Sequence, residues 1–246
     1  MSTTHTFEVR PVTRERIAER HDLYQPIHKA LRALMADTLL RLGALDVCDA
    51  EECAATLTQT ESLLGLVDSH LDHEDRFLHP ALQQRAPELV LQIEAEHAEH
   101  RASTQALRAE LQALRFAPLD DAALRLYRHM ALFIAENLSH MHFEETVLNA
   151  ALWAHFSDAE LQAMHERLVA SIAPAEMALT LRWMVPAMTP AQRVGFFSGL
   201  QHQAPPEAVR GALDSVRPWL NDTAWAKLSR GLGLAPAPGL VAWSAT

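Results

Sequence analysis

Seven metal-ligand side chains fall on the inward-facing stripes of four successive amphipathic segments: His28, His70 with Glu74, His97 with His100, and His140 with Glu144. Each takes a slot where the 3.6-residue period calls for an apolar core residue. Imidazole and carboxylate fill a core poorly unless something offsets their desolvation, and a bound metal pair does so. Fold and chemistry are therefore constrained together, because helices must bring the four stripes to one axis.

The first segment reads as a helix from Asp22 to Leu42, with Tyr24, His28, Leu31, Met35, Thr38 and Leu42 inward and Gly43 ending it. Asp49 and Glu52, spaced as in a capping box, announce the second, which runs to Arg85 with Leu63, Val67, His70, Glu74, Phe77 and Ala81 inward. Pro87 opens the third, to Phe116, on the stripe Val90, Ile93, His97, His100, Thr104, Leu107, Leu111 and Leu114. Pro118 and Asp120 open the fourth, to His155, on Met130, Phe133, Asn137, His140, Glu144, Val147 and Ala151. Short connections predict antiparallel neighbours. The expected fold is all-α: a polar tail over residues 1–14, an up-down-up-down four-helix bundle over 15–156, and a C-terminal helical extension over 157–246 packed on it.

The extension is predicted from a capping box at Ser157 and Glu160 and from prolines that open short segments at Pro174, Pro190, Pro205 and Pro206. A last helix follows Asn221 or Asp222 to about Gly231, and residues from Ala235 read as loop. Four of the five tryptophans (Trp183, Trp219, Trp225 and Trp243) lie here. The stripe Met177, Leu181, Met184 and Met188 reads as packing, with an adaptable docking surface as the alternative.

Composition removes several function classes. A net charge of −10 argues against nucleic-acid binding, which needs a basic face. No apolar run of about 18 residues predicts a membrane span. Met1 to Arg16 lacks the apolar segment of a secretory signal, which points to the cytoplasm, and Cys48 and Cys53 read as two ordinary thiols. No Ser-His-Asp order, phosphate-cradling glycine loop or Cys-x-x-Cys pair is present, so no catalytic residue is assigned.

Residues four apart share a helix face. His70/Glu74 and His140/Glu144 therefore each present an imidazole and a carboxylate inward, one turn apart. A carboxylate can bridge two ions while imidazoles terminate each, a donor set suited to iron, manganese, zinc or copper more than to calcium or magnesium. Two such ions roughly 3.5–4 Å apart form a dinuclear centre. Nearby, His73 reads as an outer or surface imidazole with rotation into the cluster as the alternative, His79 as structural and His142 as surface. His5, His21, His129, His155, His165 and His202 lie off the stripes. Tyr24, one turn before His28, reads as an amphipathic bundle-end residue, with a hydrogen bond to a ligand at the metal as the alternative.

The order His, His-x-x-x-Glu, His, His-x-x-x-Glu over four helices resembles hemerythrin and the hemerythrin-like (HHE cation-binding) domains. The segment HLDHEDRFLHPAL, with Pro80 six residues past Glu74, carries the resemblance most strongly; PIHKALR around His28 and HMHFEE around His140 also fit. The resemblance implies a non-haem centre of two iron ions that meets dioxygen or a similar diatomic or peroxide ligand. His28 is then the first helix's ligand, His70 and His140 each serve one iron, and Glu74 and Glu144 bridge. The third helix departs from hemerythrin proper, which places two histidines four apart. Here Arg101 stands four after His97 and His100 three after. Either both histidines ligate, or one does and the remaining position is open or filled by water or Glu96. The leading expectation is an oxygen or iron binder, store or sensor without turnover. The alternatives are an enzyme acting on peroxide or nitric oxide, and a metal-stabilised interaction protein that meets a partner or a second copy through its extension.

Overall fold

The computed structural model describes residues 20–234, and every regular element among them is helical. The expectations for the tail over 1–14, for His5, and for the loop from Ala235 with Trp243 fall outside the described residues.

Helix α1 spans Gln25–Gly43. It starts later than expected because Pro26 occupies its first turn, and the Asp22 carboxylate accepts from the backbone N–H groups of Tyr24 and Gln25 at 3.0 and 2.9 Å. Helix α2 spans Ala50–Phe77. Asp49 caps it by accepting from the N–H groups of Glu51 and Glu52, but Glu52 turns to the Asp46 N–H instead, so only half of the capping box forms. This helix stops short of Arg85. Pro80 has no N–H for the ladder, and the chain bends at Leu78 into the five-residue α3, His79–Gln83. Leu78, His79 and Leu82 consequently face the core where Phe77 and Ala81 were expected.

Helix α4 spans Pro87–Phe116, and all eight residues of its expected stripe are buried. Helix α5 spans Asp120–Phe143 and runs into a π turn, Glu144–Leu148, before α6, Asn149–His155. A π turn takes one residue more than an α turn. The inward stripe slips accordingly: Leu148 and Leu152 are buried, while Val147 is 38% exposed and Ala151 only half-buried.

Beyond this lie α7 (Asp158–Ser171), α8 (Pro174–Ala187), α9 (Pro190–Gln203), α10 (Pro206–Val216), a 3₁₀ turn at Arg217–Trp219 and α11 (Asp222–Gly231). Reciprocal capping boxes open α7 (Ser157 with Glu160) and α9 (Thr189 with Gln192), and Asn221 caps α11.

Helix α1 packs on α2 and α5, and α4 packs on the same two, so the four long helices close a ring. Two apolar clusters fill its ends. One gathers Leu31, Met35, Val67, Leu107, Met130 and Phe133. The other gathers Tyr24, Leu78, Ile93 and Leu148 with Leu161 and Met164 of α7. The histidine and glutamate band lies between them: on α1 His28 separates Tyr24 from Leu31, and on α2 His70 and Glu74 separate Val67 from Leu78. A third cluster joins Ala30 of α1 to Leu181, Met184 and Val185 of α8, to Met188 just past its end, and to Phe197. The methionine stripe is therefore packing. Cys48 and Cys53 are both free thiols. No single helix among the described residues is long and apolar enough to cross a membrane.

Candidate metal centre

All seven expected site residues are buried, with His28, His97 and Glu144 fully sealed from solvent. Six of them converge into two groups whose ligand atoms lie within 4.8 Å of one another: His28, His70, Glu74 and Glu144, and His97, His140, Glu74 and Glu144. Both carboxylates belong to both groups, and each divides its oxygens between them. Glu144 Oε2 lies 3.2 Å from His28 Nε2, whereas its Oε1 lies 3.1 Å from His140 Nε2 and 3.8 Å from His97 Nε2. Glu74 Oε1 lies 3.4 Å from His70 Nε2, and its Oε2 lies 3.6 Å from His97 Nε2. His100 falls outside both groups. Its ring packs beside His140, with centroids 4.6 Å apart, and neither of its nitrogens makes a hydrogen bond.

Three imidazoles are held from behind by carboxylates that the stripe pattern did not single out as partners. His28 Nδ1 lies 2.9 Å from Glu145 Oε1, His97 Nδ1 lies 2.7 Å from Asp75 Oδ1, and His140 Nδ1 lies 2.9 Å from Glu96 Oε2. An ionised carboxylate only accepts, so each Nδ1 carries a proton, which leaves each Nε2 facing inward as the nitrogen that can ligate. This is the outer arrangement that fixes metal-ligating histidines. Glu96 thus stands behind His140 and does not fill a coordination position. Two of these acids are themselves gripped by arginines. Arg32 contacts both Glu145 oxygens at 2.5 and 3.0 Å, and Arg101 contacts Asp75 Oδ2 at 2.5 Å and Asp72 at 2.9 Å. Arg101, at the position where the resemblance places a second histidine, therefore acts through Asp75 on His97.

A legible signal for this outer layer existed. Each of these acids is the chain neighbour of a ligand candidate (Asp75 of Glu74, Glu96 of His97, Glu145 of Glu144), and an arginine follows both His28 and His97 by four residues.

The donor set fits cations. The Nε2 atoms of His28, His70, His97 and His140 and all four oxygens of Glu74 and Glu144 are buried and make no hydrogen bond. Buried polar atoms are nearly always satisfied, and eight lone-pair donors facing one another are satisfied by positive ions. The buried groups shift one another strongly. Burial, and then the neighbouring Glu144, push the Glu74 pKa well above the carboxylate range. Burial also pushes on Glu144, but His140, His28 and His97 outweigh it and hold that carboxyl well below its ordinary value. Burial, then the charge of His28, drives the His70 pKa far down; burial, then His140 and His97, lowers His100 to about 4. Both are neutral imidazoles at neutral pH.

Other candidates resolve differently. His79 is buried, its Nδ1 lies 3.0 Å from Asp75 and its ring stacks near His97, so it belongs to the rim of the site. His73 turns away toward Glu176 of α8, 3.7 Å distant. His142 is exposed, as expected. His21 and His165, off the stripes, pair with each other at 3.0 Å. Tyr24 is 1% exposed, not a bundle-end residue straddling solvent, and its hydroxyl is buried without a partner. Burial, then the charges of Glu74 and Glu144, raises its pKa well above the phenol value, which puts the hydroxyl within electrostatic reach of both carboxylates.

Fold and site together define a class: a helical protein whose buried histidine and glutamate groups can hold cations. The hemerythrin HHE cation-binding domain family matches residues 21–152, more than half of the chain, and the chain belongs to that family. No curated protein matches the sequence.

Proposed function

We propose that the centre holds two iron ions without haem and that the protein uses them to bind or sense dioxygen, or iron itself. The carrying observation is that Glu74 and Glu144 each split their oxygens between two imidazole groups. In this reading His28 and His70 would hold one ion and His97 and His140 the other, Glu74 and Glu144 would serve both, and His100 would offer a further nitrogen beside His140. A bound iron pair supplies redox capacity toward a small diatomic or peroxide ligand. The chain supplies the rest. Glu145, Asp75 and Glu96 hold protons at Nδ1 so that Nε2 faces inward, and the two apolar clusters exclude bulk water from both ends of the band.

The same proposal reads the ring of four long helices as an up-down-up-down bundle over 15–156 with 157–246 as its extension, supported by the pairing of α1 and α4 with both α2 and α5. Cytoplasmic residence belongs to it too, and its support is the pair of free thiols.

Elemental analysis of the purified protein, with a visible spectrum of the same sample, tests the reading. About two irons per chain, and a coloured form that appears reversibly when the reduced protein meets air, are expected. No metal after anaerobic ferrous loading would remove it. A second reading, turnover of peroxide or nitric oxide, draws on the four protein donors that each group offers, fewer than an octahedral ion takes. Peroxide decay compared with Glu74→Ala separates the two, and equal rates would sink the enzymatic reading.

A further inference from the structure

Beside the two nitrogens of His100, which stand outside both groups next to His140, the unpartnered atoms around the centre are of two kinds. Imidazole Nε2 and carboxylate oxygens offer lone pairs, which cations satisfy. Tyr24 Oη carries a proton, which a cation does not satisfy. Its position is set by α1: the His28 N–H donates to the Tyr24 carbonyl at 3.0 Å, so the two side chains share one face, and their rings lie 5.5 Å apart between centroids. The ring is locked among Leu78, Ile93, Leu148, Leu161 and Met164. Packing alone would be served by phenylalanine, which fills the same cluster without burying a hydroxyl. No hydrogen-bond acceptor meets that hydroxyl, although its ring stands beside that of His28, a residue of the centre. The missing acceptor is therefore something that enters the centre.

We propose that Tyr24 is the hydrogen-bond donor of the site, a neutral phenol that serves the small anionic or diatomic ligand held between the two groups and does not itself ligate metal. This rests on the dinuclear reading above. It adds what that reading lacks, a protein group that touches the incoming ligand. Among the six residues of the two groups, every unpartnered atom turned into the centre is one that would hold a cation. A ligand that accepts hydrogen bonds has Tyr24 to meet.

The test compares the full-length chain with Tyr24→Phe, both reconstituted anaerobically with ferrous iron and then oxidised, using azide as the probe. Metal content is measured first and azide affinity second, by optical titration. Equal iron in the two proteins with azide bound about tenfold more weakly by the variant is the expected result, the loss of one hydrogen bond. Equal or tighter azide binding by Tyr24→Phe would overturn the inference while leaving the metal reading intact. So would a wild-type centre that takes up iron but ignores azide. Loss of iron from the variant, or of a visible phenolate-to-ferric band present in the wild type, would make Tyr24 a ligand and overturn it too. A wild-type protein that takes up no iron overturns both readings together.

Discussion

At the scale of single residues, the centre is built in two layers, and the outer one sets how firmly the inner one is held. Asp75, Glu96 and Glu145 touch no ligand atom of the two groups, yet each fixes which nitrogen of an imidazole turns inward. Outer partners of this kind are worth about 10–100-fold in metal affinity. Asp75→Asn and Glu145→Gln are each expected to weaken metal binding by that order, with helical content and saturating stoichiometry unchanged, as read by competition with a chelator. Unaltered affinity in both would show that packing alone orients the rings. His100 makes a separate prediction for the metal-free protein. Its folded pKa, about 4, lies below the unfolded value of 6.5, so between those values the unfolded chain holds more protons. Stability then falls as pH drops from 6.5 toward about 4, with a slope of at most about 1.4 kcal/mol per pH unit from this group. Denaturant midpoints across that window should be flatter for His100→Leu than for the wild type, and an identical slope in the two proteins would count against the assignment.

At the scale of elements, regular helices were legible and their interruptions were not. On α1 and α4 the expected stripes are the buried ones, Tyr24 through Leu42 and Val90 through Leu114, because a period of 3.6 carries through without a break. On α2 the stripe fails after Glu74, where Pro80 ends the ladder; the apolar period continues past that proline to Ala81 in the sequence, and so predicts a helix to Arg85. On α5 it fails after Glu144 for a reason no single residue announces: the π turn at Glu144–Leu148 adds a residue, and neither Thr146 nor Val147 departs from ordinary helix formers strongly enough to flag it. That turn has a use. It follows His140/Glu144 immediately and sets the adjacent Glu145 against the outer nitrogen of His28, so neighbouring glutamates grip both nitrogens of one ring. Deleting Thr146, exposed within the turn, should restore an unbroken α ladder, keep Leu148 and Leu152 inward, and displace Glu145 from His28. Retained circular dichroism with weakened metal binding is the expected outcome; unchanged binding would mean that the π turn positions nothing.

At the scale of the whole molecule, the family match ends at residue 152, but the packing does not. Leu161 and Met164 of α7 complete the cluster that closes one end of the metal band, and Leu181, Met184 and Val185 of α8, with Met188 just past it, pack in one cluster with Ala30 of α1, two residues from His28. Polar contacts tie the same surfaces: Ser69 donates to Glu176 at 2.6 Å, Lys29 to Gln192 at 2.6 Å, and Arg20 to Asp158 at 2.8 Å. Six buried apolar side chains at about 2 kcal/mol each contribute on the order of 10 kcal/mol, comparable with the whole stability of an ordinary domain. The helices beyond residue 156 therefore belong to the core that positions the centre, although the seven ligand candidates all precede them. Removing residues 157–246 should abolish a cooperative unfolding transition and, with it, stoichiometric metal uptake. A truncated chain that unfolds cooperatively and still takes up its full metal complement would show that the ring of four helices stands alone. The extension would then be free for a partner or a second copy. Leu161→Ala offers a milder version of the same comparison. A cavity in the cluster that holds Tyr24 should cost about 2–5 kcal/mol while leaving all seven ligand candidates in place, so metal stoichiometry should hold even as the denaturation midpoint falls.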